Sequence, residues 1–141
     1  MKTLIPLAFF SFFLFTNCEQ TSSYKKTTKE NYVANNYSKK EVNITMRDGI
    51  KLHTTIYSPK DKSKTYPILM QRTPYSSAPY GDGKMKSKIS PNLHLMKEGN
   101  IVVYQDVRGR WMSEGVYDNM RAYIPNKKAT QSDEVSDTYD T

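Results

Sequence analysis

Ile101-Val102-Val103-Tyr104-Gln105-Asp106-Val107-Arg108-Gly109-Arg110-Trp111-Met112-Ser113-Glu114-Gly115 is the stretch on which the fold turns. Its first four residues are a β-branched and aromatic run without polar alternation. That is the pattern of a strand covered on both faces, and such strands belong mostly to parallel sheets flanked by helices. From Asp106 to Gly115, two glycines, two arginines, an aspartate and a glutamate share ten residues. This composition predicts irregular backbone at the carboxyl end of the strand, the edge where open α/β sheets bind ligands. The plainer alternative is a surface loop held by an Asp106–Arg108 or Arg110–Glu114 pair.

Working upstream, residues 91–98 read as a short helix, with Ser90 as cap, Pro91 in the first turn and Gly99 as the stop. Its buried face would carry Leu93 with Met96 or Leu95. Residues 67–71 read as a third strand, short, apolar and expected to be buried, running into Arg72-Thr73-Pro74-Tyr75. The proline stops the strand and fixes the backbone that presents Tyr75. Strand, helix and strand in this order predict a crossover between parallel strands. The polar segment between them, rich in Gly, Ser, Lys and Pro, is a loop shaped by function or left mobile.

Earlier still, the pattern has period two. Val42, Ile44 and Met46 share one face, Arg47-Asp48-Gly49 turns the chain, and Ile50, Leu52, Thr54 and Ile56 continue on the return strand. Asp-Gly between alternating runs predicts a tight hairpin whose two central residues take positive φ. His53 falls on the opposite face with Lys51, Thr55 and Tyr57, where a histidine without a visible carboxylate partner reads as a surface or packing residue. Residues 58–66 form a polar loop. At the other end, residues 116–130 are irregular, and Ser132 is expected to cap a helix opening with Asp133 and Glu134, with Val135 and Tyr139 on its apolar face.

The chain has 141 residues and a net charge of +7, enough length for one domain with a modest core. Ten Lys or Arg lie between positions 25 and 64, against Glu30, Glu41, Asp48 and Asp61. No nucleic-acid-binding module accompanies them, so they read as a solvated spacer or a patch facing an anionic membrane surface. Cys18 is the single cysteine, which excludes an intramolecular disulfide and a cysteine-based metal cluster. Met1-Lys2 and the twelve-residue apolar run 4–15 precede it. As a helix that run would extend roughly 18 Å against a ~30 Å hydrocarbon core, so residues 1–18 read as an export signal and not as a membrane span. A cysteine directly after such a run resembles the processing site of bacterial lipoproteins, with Cys18 the lipidated residue and Asn17 in place of the usual small residue.

Residues 19–39 have almost no aliphatic side chain and read as a flexible polar tether. Ser22 and Ser23 each precede a lysine by three, but the companion motifs of penicillin-recognising enzymes do not occur.

Three pieces in this order, Met46-Arg47-Asp48-Gly49-Ile50-Lys51-Leu52, Arg72-Thr73-Pro74-Tyr75, and Gln105 to Arg110 with Ser113-Glu114-Gly115, resemble the amino-terminal part of the CocE/NonD hydrolases. That family is related to X-Pro dipeptidyl-peptidases, α-amino acid ester hydrolases and glutaryl acylases. Ile124 to Lys127 and Asp133 to Thr141 are most similar to the α-amino acid ester hydrolase branch. The resemblance implies an α/β-hydrolase fold, here its antiparallel hairpin leading into an incomplete parallel sheet over residues 40–141. It also implies an exported serine hydrolase acting on small acyl esters, amides or peptides without cofactor, metal or nucleic acid.

By the same match, Tyr75 donates its hydroxyl to the oxyanion hole, where one donor is worth roughly 3 kcal/mol of barrier. Asp106, Arg108 and Glu114 would be a structural brace beside the site. The nucleophile of the resembled family lies in a Gly-x-Ser-x-Gly elbow with its acid and base further on. No such elbow occurs in these 141 residues, and neither His53 nor His94 has an acid in a suggestive relation. The expectation is an amino-terminal fragment, inactive alone, that reaches the membrane through a lipidated Cys18. The alternative is a non-catalytic surface lipoprotein that binds a ligand or partner.

Overall fold

The computed structural model describes residues 32–141. The export signal at 1–18, Cys18 and the tether as far as residue 31 lie outside the described residues. Elements follow as α1 (Tyr32–Asn36), β1 (Tyr37–Thr45), β2 (Lys51–Pro59), β3 (Ile68–Thr73), α2 (Leu93–Glu98), β4 (Ile101–Asp106) and α3 (Glu134–Tyr139). The four strands form one sheet in the order β1-β2-β4-β3. β1 pairs antiparallel with β2, β2 antiparallel with β4, and β3 parallel with β4 through the α2 crossover. The fold is therefore α/β, an antiparallel hairpin passing into a parallel pair, as the sequence pattern predicts.

The hairpin turn differs from the expected form. Met46 N–H donates to Ile50 O and Gly49 N–H to Met46 O, and of the turn residues Gly49 alone takes positive φ, at 86°. This is a turn closed by a left-handed glycine, which asks nothing unusual of Asp48. Asp48 Oδ1 instead accepts the Ile50 N–H at 3.2 Å. The crossover helix starts later than its serine suggested. Asn92 is the cap and accepts the His94 N–H at 2.8 Å, Pro91 lies outside the helix, and Gly99 closes it. Ser90 makes the same kind of bond one step earlier, its Oγ accepting the Asn92 N–H at 3.2 Å, so the serine fixes the cap residue and the asparagine caps the helix. Met96 is buried and Leu93 packs beside it, whereas Leu95 is exposed.

The tether ends sooner than composition suggested. Val33 and Tyr37 are both buried and join Tyr57, Ile89, Met96 and Val102 in the core cluster. Tyr37 donates its hydroxyl to Met96 O at 2.8 Å, near the carboxyl end of α2, where helix carbonyls lack partners of their own. This core lies on the face of the sheet that carries Tyr57, opposite the Val42 and Ile44 side of the hairpin. His53 and Thr55 share the core face, and both are buried.

β3 was expected to be buried, yet Ile68, Leu69 and Met70 are 65%, 40% and 38% exposed. It is an edge strand with β4 on one side only. Leu69 lines an open, largely apolar groove together with Ile89, Pro91, Leu95 and Tyr104.

Replacing Tyr37 with Phe leaves a buried helix carbonyl without its donor and should lower stability by about 1–3 kcal/mol in urea unfolding. An unchanged midpoint would return residues 32–39 to the status of a spacer.

Candidate active site at the carboxyl ends of the parallel strands

Because β3 and β4 run parallel, their carboxyl ends lie side by side, with Thr73 level with Asp106. Two loops leave from there, residues 74–84 and 107–115. Asp106 is fully buried and ties down the first: its carboxylate accepts the Ser77 N–H at 2.6 Å and the Tyr80 hydroxyl at 2.8 Å. Tyr75 N–H donates to Thr73 Oγ1 at 3.0 Å, and the Pro74 carbonyl accepts Arg110 Nε at 3.2 Å and Trp111 Nε1 at 2.9 Å. Ser76 is held at φ 95°, a left-handed conformation that costs a non-glycine residue about 1–3 kcal/mol and persists only where surrounding bonds impose it. Those bonds are present, since Ser76 Oγ meets the Tyr80 hydroxyl at 2.9 Å and accepts the Ala78 N–H at 3.1 Å. The backbone on either side of Tyr75 is thus fixed while its side chain is 84% exposed.

The second loop is fastened to β2. Ser113 Oγ donates to the Asp106 carbonyl at 2.6 Å and accepts the His53 N–H at 2.8 Å. Glu114 Oε2 accepts the Lys51 N–H at 3.0 Å, and the Glu114 N–H donates to Lys51 O. Gly109 must lack a side chain, because a Cβ there would collide with the backbone nitrogen of Tyr117. Neither the Asp106–Arg108 nor the Arg110–Glu114 pair forms among the described residues. Arg108 turns away from Asp106 to meet Asp137 through Nε at 3.0 Å and a terminal nitrogen at 2.7 Å, and Asp48 at 2.7 Å.

Asp137 is the centre that pattern reading missed. The expected cap Ser132 is not the helix cap. Asp133 fills that place in a reciprocal box with Ser136, and Ser132 hydrogen-bonds Asp137 instead. Val135 and Tyr139 are exposed, while Ser136 and Asp137 are buried, so α3 rests on its polar face. Asp137 is fully buried between Arg108 and Arg121, with an Arg72 terminal nitrogen 3.7 Å away. Burial pushes its pKa up, but hydrogen bonds from Arg108, Ser132 and Arg121 outweigh that and hold the carboxyl below the ordinary range. Asp133 is also held low, first by the Ile124 N–H and then by Lys127 and Ser136. The only sequence signal was spacing: Asp133 and Asp137 are four apart, hence on one helix face.

Arg72 joins β3 to the same helix, donating to Glu134 Oε2 at 2.9 Å and Thr138 Oγ1 at 2.9 Å, and to Gln105 Oε1 at 2.7 Å. Neither histidine joins the site as a base. His94 is exposed on α2, and buried His53 lies edge-on to Tyr80 with Nε2 4.0 Å from Glu41. The site offers an exposed phenol on a fixed loop at the ends of two parallel strands.

Residues 48–141 match the family described as X-Pro dipeptidyl-peptidase (S15 family). The cocaine esterase of Rhodococcus sp. (strain MB1 Bresler) is 38% identical over 87 residues, covering 60% of this chain and 14% of the esterase. A selenomethionine-labelled α-amino acid ester hydrolase superposes with a TM-score of 0.60 at 31% identity, over 89% of this chain and 21% of that one. An aminopeptidase from the marine sediment archaeon Thaumarchaeota archaeon does so with a TM-score of 0.57, at the same identity and coverage. The chain therefore spans about a fifth or less of the length of these relatives.

Asp137→Asn removes the charge that three guanidinium groups face and should cost about 3–5 kcal/mol, as breaking a buried ion pair does. The native carboxyl takes up a proton less readily than the unfolded chain, so its contribution is complete above ~pH 4 and drains away as pH falls further. The stability gap between wild type and D137N should accordingly narrow below that pH. A gap constant from pH 7 to pH 2 would mean that Asp137 carries no net charge interaction.

Proposed function

Because this chain belongs to the X-Pro dipeptidyl-peptidase (S15) family, a family of hydrolases, we propose that it forms the amino-terminal part of an exported α/β-hydrolase that cleaves acyl ester or amide bonds. Tyr75 supplies one oxyanion donor in this reading. The observation that carries it is the pairing of an 84% exposed phenol with a backbone fixed on both sides, at the carboxyl end of a parallel strand. A donor positioned before the reaction strengthens its bond to the carbonyl oxygen as charge develops there, without reorganising. The attacking serine, its base and its acid come from chain beyond these 141 residues, since no Gly-x-Ser-x-Gly elbow occurs in them. The small esters, amides or peptides that fit this chemistry agree with the activities named for the cocaine esterase and the aminopeptidase.

The 141-residue chain alone should show no turnover of p-nitrophenyl acetate. The DNA past codon 141, in frame or shifted, should carry a Gly-x-Ser-Tyr-x-Gly elbow within about forty codons. In that longer protein Tyr75→Phe should lower kcat about 100- to 1,000-fold with a smaller change in KM. Tyr75-dependent turnover by the short chain, or full activity of the long protein with Phe at position 75, would overturn the reading.

Export is proposed from residues 1–18, with Cys18 as the lipid-bearing residue. Cells fed a radiolabelled fatty acid should label this protein at the membrane and lose the label in Cys18→Ala. An unlabelled wild-type protein would exclude the anchor.

A further inference from the structure

We propose that Lys39 is a positioning residue for Tyr75: a buried ammonium group on β1 that gathers the backbone of the 74–84 loop and so holds the phenol in place. This rests on the oxyanion reading of Tyr75 given above. The Lys39 side chain is 6% exposed. Its Nζ donates to the carbonyls of Pro79 at 2.5 Å, Lys84 at 2.9 Å and Gly81 at 3.2 Å, and lies 2.5 Å from Glu41 Oε1. Three N–H bonds thus serve four acceptors, three of them from a single loop far away in sequence. Glu41 completes the clasp, because both its oxygens accept the Gly81 N–H, at 3.0 and 3.1 Å.

The hold passes onward through side chains already described. Tyr80, inside the gathered segment, bonds Asp106 and Ser76, and Ser76 is the strained residue next to Tyr75. Converging carbonyls suit a compact ammonium, a point charge with three rotatable donors. The planar fork of arginine does not match them. Removing the ammonium would strand three carbonyls and a carboxylate that now share one cation, leaving the Glu41–Gly81 bond alone to draw residues 79–84 onto β1.

The test has two arms. In the 141-residue chain, amide hydrogen exchange is compared for wild type, Lys39→Met, Lys39→Arg and, as control, Lys40→Met, whose lysine is exposed on the same strand. Lys39→Met should speed exchange at Gly81 and also at Ser77 by tenfold or more, Lys39→Arg by less, and Lys40→Met not at all. Fast exchange confined to Gly81 would overturn the proposal, because the hold would then stop short of Tyr75. If Lys39→Met unfolds, Lys39→Arg decides by the same two amides. In the longer active protein, Lys39→Met should lower kcat at least tenfold with KM little changed, and should add nothing to Tyr75→Phe. Independent, multiplying losses in the double variant would also overturn it. An effect of Lys39→Met on Ser77 exchange with a silent Tyr75→Phe would remove the oxyanion reading and leave Lys39 as the holder of the loop.

Discussion

The bond between Arg108 and buried Asp137 is the constraint on which the arrangement of the strand ends depends. α3 has six residues and buries none of its larger apolar side chains, so neither intrinsic helicity nor an apolar stripe can place it. A fully buried carboxylate, in contrast, must be paired or the fold loses several kcal/mol. Arg108 meets that demand with two nitrogens while a third contact reaches Asp48 in the hairpin turn. One guanidinium therefore joins three parts of the chain that are remote in sequence. A lysine could neutralise Asp137 but could not engage both carboxylates with a rigid fork.

Other arginines work in the same sense. Arg47 in the turn forms a two-pronged pair with Asp140, and Arg72 at the end of β3 reaches Glu134 and Thr138. The sheet thus has two unlike faces. One is closed by an apolar core under α2, and the other is latched to α3 by charge. Since Arg72 immediately precedes Thr73 and Pro74, the charged latch holds the end of β3 next to the proline that stops the strand and leads into Tyr75.

Features signalled by local backbone chemistry were legible in the sequence. The glycine of the Asp48-Gly49 turn, the left-handed Gly99 and the crossover between β3 and β4 each follow from a residue whose backbone preference acts without help from distant partners. What escaped was set by distant partners. Tyr37 and Lys39 sit in a stretch whose average composition is that of a spacer, yet one hydrogen bond to α2 and one set of converging carbonyls order them. Composition averages over a window, whereas these residues each act through a single atom. The buried polar face of α3 has little sequence signature for the same reason: ion pairs have no period, and the apolar spacing of Val135 and Tyr139 points away from Asp137. At the site, the exposed placement of Tyr75 follows the proline rule, but the bonds that hold its loop come from Asp106, Arg110 and Trp111 and had no signature in spacing.

β3 brings the two levels together. Ile68, Leu69 and Met70 are consecutive apolar residues, a pattern that belongs to strands covered on both faces within a parallel sheet. The described residues leave all three substantially exposed and one edge of the strand unpaired. An apolar edge of this kind is a liability that proteins ordinarily blunt with charge, proline or a bulge, and none interrupts these three positions. The proposed larger hydrolase accounts for this mismatch. A strand laid along β3 would satisfy its backbone, a layer over it would cover its side chains, and both would stand beside the loop that carries Tyr75. The same edge that looks unfinished as a piece of folding is, on that reading, the place where the attacking hydroxyl meets its oxyanion donor.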